Sequence, residues 1–244
     1  MPPSNRPDNS LGNAAFRPTP NFVASTLAIA RKDMLIELRS RSVILSAVTF
    51  AVLSLTIFFF AWDPTAVAST DLAPGVLWVI FTFSGLLGLH RSFGVEQPTR
   101  AMDALLAAPI SREAIYLGKL IANLGLIVVV QAISLPAVAL LYNVPLGSYV
   151  LPLIGVVLLA AVGLVAVGTL FSSMAVSTSL AELLLPLLAL PFFVPIILPA
   201  AQATARLMSG RAVSEVAGYI EILASFDIVF LVVCTLLYPY TLEQ

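Results

Sequence analysis

Two uncharged apolar runs constrain this chain more than any other feature. Val43 to Ala61 and Leu120 to Tyr142 hold no Asp, Glu, Lys or Arg. Each is long enough to cross, as a helix, a hydrocarbon layer about 30 Å thick. The rest of the composition fits: 59% of the 244 residues are hydrophobic and only 10% are charged. A soluble domain carries about 25% charged residues, so a water-soluble core is excluded and the runs are membrane spans.

Extending this reading along the chain places spans at 43–61, 74–90, 116–142, 148–172, 183–200 and 222–241. Asp63-Pro64 closes the first, Ala73-Pro74-Gly75 opens the second, and Asn143-Val144-Pro145-Leu146-Gly147 joins the third and fourth as a tight hairpin. Residues 1–21, with five prolines and no apolar run, lack the pattern of a signal peptide and read as a disordered tail. The single cysteine, Cys234, and the single histidine, His90, leave no disulfide framework, no metal cluster and no pair of heme ligands within one chain. The net charge of −1 points to no nucleic-acid partner.

The basic residues set an orientation. Of twelve Lys and Arg, six precede the first span, four (Arg91, Arg100, Arg112 and Lys119) follow the second, and Arg206 and Arg211 follow the fifth. Ten of the twelve fall on one side, which the positive-inside bias assigns to the cytoplasm together with both termini. Residues 22–42 read as an amphipathic interfacial helix whose apolar stripe is Val23, Leu27, Ala30, Met34 and Leu38, with Lys32, Asp33, Arg39 and Ser40 turned away. Residues 201–221, around Gly210, read as helical pieces at or dipping into the outer surface. The fold class expected is therefore all-α and polytopic, with a six-helix permease domain over 43–242.

Between spans two and three lies DALLAAPISREAIYLGK, residues 103–119, with four charged groups. Thr99 can cap a short helix through Met102, Asp103, Leu105 and Leu106 that must stop before Pro109, and Ser111 can cap a second helix with Glu113 in its first turn. This is either a short cytoplasmic helix joined to span three by a stiff corner or an interhelical loop resting on lipid. Here the chain resembles the cytochrome c maturation permease family, also called heme exporter protein B, a membrane subunit of ABC transporters. The resemblance covers about residues 22–242. It is carried by RKDMLIELRSR, LAPGVLWVIFTFSGLLGLHRSF, MDALLAAPISREAIYLGK and LLLPLLALPFFVPIILPAAQA. The elbow alone recurs across ABC-2-type export permeases. In place of the acidic residue usual in the family at the cytoplasmic end of span two, this chain has His90 beside Arg91.

The resemblance implies a coupling helix over about 99–112, with Met102, Asp103, Leu105, Leu106, Ser111 and Arg112 as the coupling residues. It implies a cytoplasmic ABC ATPase partner, a second copy of this chain, a heme-handling membrane subunit, a small membrane subunit and a periplasmic heme chaperone. Heme is then a handled species, ATP is bound by the partner, and no cofactor is held firmly. The location implied is the bacterial inner membrane. An ABC-2 permease for a lipid or drug-like substrate is the alternative.

No catalytic residue is expected. The chain has no phosphate loop of its own, since Gly118-Lys119 is followed by Leu120 and lacks the upstream glycine. Ser84 and His90 lie about 240° apart around one helix, which rules out a serine-protease pair. One intramembrane Asp and no internal repeat argue against an ion-coupled secondary transporter. Asp227, inside span six, either responds to transport or anchors a neighbouring helix near the outer interface. Asn123 and Gln131 share a face of span three and can bond across helices. Gly118, Ala122, Gly155, Gly163 and Gly168 mark packing faces. Pro186, Pro191, Pro195 and Pro199 kink span five, which lines either the seam between two copies or a lateral cavity.

Overall fold

The computed structural model describes residues 21–94, 105, 108–144, 147–175 and 181–241. Seven α-helices appear among them: α1 (Phe22–Ser40), α2 (Ser42–Ala61), α3 (Ser69–Gly94), α4 (Arg112–Leu141), α5 (Val150–Ala175), α6 (Ala181–Met208) and α7 (Ala217–Thr241), with a 3-10 turn at Val213–Val216 before α7. All but α1 contain a segment long and apolar enough to cross a membrane. The chain is a multi-pass membrane protein.

Burial orders the bundle. In α3, 72% of the spanning window is covered by other helices, against 17% in the last span, so α3 is the central helix and α7 a peripheral one. Helix α3 packs on α2, α4, α5 and α6, while α7 leans on α5, α6 and α4. Exposed Leu45, Val52, Ile57 and Phe60 on α2, and Ile228, Val232 and Leu236 on α7, form apolar faces that water would not tolerate and lipid requires. The six-span architecture inferred from the apolar runs is the one found.

Helix ends follow local chemistry. Gly210, at φ 75°, ends α6 in a Schellman motif: its N–H donates to Leu207 and the Arg211 N–H to Arg206, both at 3.0 Å. The fifth span therefore runs to Met208, well past the expected end at residue 200. Its four prolines each remove one backbone donor, but the alanine-rich stretch that follows carries the helix on. The segment expected as outer helical pieces is divided among the end of α6, the 3-10 turn and the start of α7. After α4, Asn143 takes φ 49°, a left-handed conformation that Asn tolerates better than most residues. Trp62 packs on Tyr142 with ring centroids 5.3 Å apart and tilted by 43°, beside Phe59, an aromatic cluster of the kind found at membrane interfaces. In the loop after α2, the hydroxyl and amide of Thr65 donate to Asp63 and hold its carboxyl below the usual range.

Helix α1 has a second face beside the expected apolar stripe. Val23, Leu27, Met34 and Leu38 of the stripe are exposed, while its Ala30 joins Ser25, Thr26 and Ile29 in the face against α4. Small side chains let the helices close on Gly118, where an added methyl would stand 2.8 Å from Ile29 Cβ and 2.9 Å from the Thr26 carbonyl oxygen. Helix α1 thus has two faces in use, one on protein and one left to the membrane.

Candidate corner and polar seam

The elbow enters α4 as the sequence chemistry requires. Ser111 is extended (φ −67°, ψ 144°) and its Oγ accepts from the Ala114 N–H at 3.3 Å, with Glu113 in the first turn. This caps the helix and places a carboxylate at the positive end of its dipole. Thirty residues of α4 make a rod of about 45 Å, longer than a hydrocarbon layer of about 30 Å, and its first turn carries the charged Arg112 and Glu113. Leu105 is half-buried and packs on the core. Met102, Asp103 and Leu106, and with them most of the expected coupling helix, lie outside the described residues, as does the His90 side chain.

Three contacts tie this corner to other helices. Arg112 Nη1 donates to the Pro239 carbonyl at 3.0 Å, putting a cation at the negative end of α7. One turn further on, the Tyr116 hydroxyl donates to the Ala166 carbonyl of α5 at 2.9 Å, and its ring packs on Tyr238 of α7. Lys119 has no exposed surface, and its Nζ stands 3.5 Å from Asp33 Oδ2 on α1. Lys32 holds the other carboxylate oxygen at 2.9 Å. The first two turns of α4 are thereby fastened to α1, α5 and α7.

Glu37 fixes the junction of α1 and α2. Arg41 between them is left-handed at φ 53°, and its N–H bonds the Glu37 carbonyl. The Glu37 side chain reaches across, Oε1 accepting from the Val43 and Ile44 N–H groups at 3.0 Å each. It caps α2 from the preceding helix and offsets the cost of the left-handed residue. Sequence reasoning missed both Glu37 and the Asp33–Lys119 pair. The second had a signal, a lysine inside an expected span; the first had none, because the cap reaches forward from another helix.

Deeper in the bundle, polar groups line the α4–α5 contact. Asn123 Nδ2 donates to Thr169 Oγ1 at 3.1 Å, and Gln131 Nε2 to the Val157 carbonyl at 3.4 Å. Asp227 is 4% exposed, faces Gly163, and neither of its carboxylate oxygens has a hydrogen-bond partner. It caps no helix. Because α7 runs from Ala217 to Thr241, Asp227 lies about 15 Å along it, nearer the middle of the helix than either end.

The remaining sites separate. Gly168 accommodates Leu89 and Phe193, and Gly163 accommodates Asp227 and Ile196, whereas Gly155 has nothing near it, so it marks no packing face. Pro191 is exposed, Pro186 and Pro195 are half-buried and Pro199 is buried. None of the four lines either of two crevices, one between α1, α2 and α4 and one between α4 and α5. Ser84 donates to the Ala47 carbonyl of α2, a packing contact.

Comparison with known proteins covers nearly all of this architecture. A family model described as CcmB protein matches residues 24–244. Heme exporter protein B of Rhodobacter capsulatus is 29% identical over 189 residues, 76% of this chain and 85% of the relative. The protein of the same name from Paracoccus denitrificans is 29% identical over 183 residues, 75% and 84%. That of Haemophilus influenzae is 27% identical over 174 residues, 70% and 77%.

Proposed function

The chain belongs to the CcmB protein family, and from that premise we propose that it is the membrane subunit of an ABC-type heme exporter used in cytochrome c maturation. A cytoplasmic ATPase partner binds and hydrolyses ATP, and heme is cargo rather than a resident group. The subunit sits in the bacterial inner membrane with both termini in the cytoplasm and works as two copies. A heme-handling membrane subunit, a small membrane subunit and a periplasmic heme chaperone complete the assembly.

The observation that carries the mechanism is the fastening of the α4 entrance. A push on the elbow is delivered at a capped, proline-stiffened corner and enters a rod of about 45 Å. Arg112–Pro239, Tyr116–Ala166 and Asp33–Lys119 pass it to α7, α5 and α1. A floppy loop would dissipate such a displacement. In this reading Met102, Asp103, Leu105 and Leu106 meet the ATPase, and Ser111 and Arg112 transmit. The movement either carries heme or releases the heme-loaded chaperone.

Complementation tests the reading. In cells lacking their own copy of this subunit, expression of the chain should restore covalently bound heme in periplasmic c-type cytochromes. Full membrane levels of the chain with its partners present, and no restored heme, would contradict it.

A further inference from the structure

Helix α7 turns one stripe to the bundle, Leu223, Asp227, Cys234 and Tyr238, at the spacing of a packed helix face. One place in that stripe is held by a carboxyl group. Asp227 packs on Gly163 of α5, where an added methyl would collide with its Oδ1 and stand 2.9 Å from Ile196 Cδ1 of α6. Neither carboxyl oxygen has a hydrogen-bond partner among the described residues. No cation reaches it either. Helix α7 packs on α4, α5, α6 and the 3-10 turn. Of these, α5 holds no ionisable residue. Helix α6 has Glu182 and Arg206 near its two ends, and Arg206 lies over the Tyr219 ring at 4.8 Å. The turn has Glu215, paired with Arg211. Helix α4 has Arg112, Glu113, Tyr116 and Lys119 in its first turns, with Arg112 on Pro239 and Lys119 on Asp33. On α7 itself Tyr219 and Glu221 precede Asp227, and Glu221 is exposed; Cys234, Tyr238 and Tyr240 follow it.

An ionised carboxylate without a partner is far more costly in such a place than a neutral acid. We propose that Asp227 is a proton-binding site built into the seam of α7 with α5 and α6: the packed seam holds it as the neutral acid, and separation of α7 releases its proton. In the step, the carboxyl O–H bond breaks, the proton passes to entering water, and the carboxylate stays hydrated. The carboxylate cannot return against Gly163 until it takes a proton back, so packing and proton binding are linked in both directions. The seam suits a reversible opening. The last span is the least covered of the six, 17% of its window against 72% for α3, so α7 has the smallest protein contact to give up. The inference concerns only the movement of α7, and its failure would leave the family reading untouched.

Two measurements on the full chain in proteoliposomes test this. Infrared spectra at neutral pH, with aspartate carboxyls isotopically labelled, should show the carbonyl stretch of a protonated aspartic acid. Asp33 is paired with lysines, and Asp63 and Asp71 are exposed, so the band should vanish in Asp227→Asn and lose its isotope shift in Asp227→Glu. No such band in the unaltered chain would overturn the proposal whether or not the variants fold. Cys234, the single cysteine of the chain, is 3% exposed two turns further along the same stripe and reports the separation through its labelling by a membrane-permeant maleimide. Thiol ionisation speeds labelling alike in the unaltered chain and in Asp227→Asn, which stays neutral, so their ratio isolates Asp227. That ratio should rise about tenfold per pH unit between about pH 6 and 8, because only the separated state gives up the proton. A flat ratio, even with the band present, would make Asp227 a buried acid that never releases its proton, and would overturn the proposal.

Discussion

At the scale of single residues, this molecule is held by a few polar groups placed where lipid gives them no substitute. Asp33 is one of them. Replacing it by alanine leaves Lys119 buried against α1 without that carboxylate, and loss of one member of a buried pair costs about 3–5 kcal/mol. Asp33→Ala should therefore free α1 from α4, seen as faster protease cleavage between residues 22 and 41 in proteoliposomes; unchanged cleavage would show that apolar packing alone holds α1. Glu37→Ala removes two bonds to the start of α2 and should cost about 1 kcal/mol, as loss of a helix cap does, visible as faster amide exchange at Val43 and Ile44. Asp227→Asn should impair cytochrome maturation at unchanged membrane levels; normal maturation would make Asp227 a packing residue. Asn123, Gln131 and Asp227 could be picked out in the sequence because polar groups are rare in spans. The groups they face could not, since Thr169, Val157 and Gly163 look like any other residues of an apolar helix.

At the scale of elements, the spans are legible in the sequence alone because a long uncharged run in lipid has few folded solutions. What the sequence conceals is how an element with two neighbours divides its surface. Helix α1 carries apolar residues on more than one side, so the stripe of large ones points to the membrane while the small ones, Ser25 and Ala30, mark the protein contact. The fifth span reads short because four prolines suggest an early end, although each removes only one donor. Helix α1 also explains why Gly118 is glycine: Gly118→Leu should push the two helices apart and lower the melting temperature of the detergent-solubilised chain by several degrees, whereas Gly155→Leu, at a glycine with nothing within 4 Å, should leave it unchanged. A similar loss for both variants would show that helix propensity rather than close approach governs these positions.

At the scale of the whole molecule, one helix entrance collects contacts from three others, and a central α3 packs on α2, α4, α5 and α6. This arrangement suits a subunit that receives a displacement at one end and passes it through the membrane. In the proposed reading an ATPase supplies the push and heme is the cargo; the geometry offers a route between them. The measurement that tests this most directly is co-purification of the chain with its candidate ATPase, comparing the unaltered protein with a Leu105→Asp, Leu106→Asp double variant and recording ATP hydrolysis. The account predicts that binding or stimulated hydrolysis falls at least tenfold in the variant while its helical content and membrane level stay the same. Unchanged binding and hydrolysis would mean that the elbow is an ordinary loop and that force enters this bundle elsewhere.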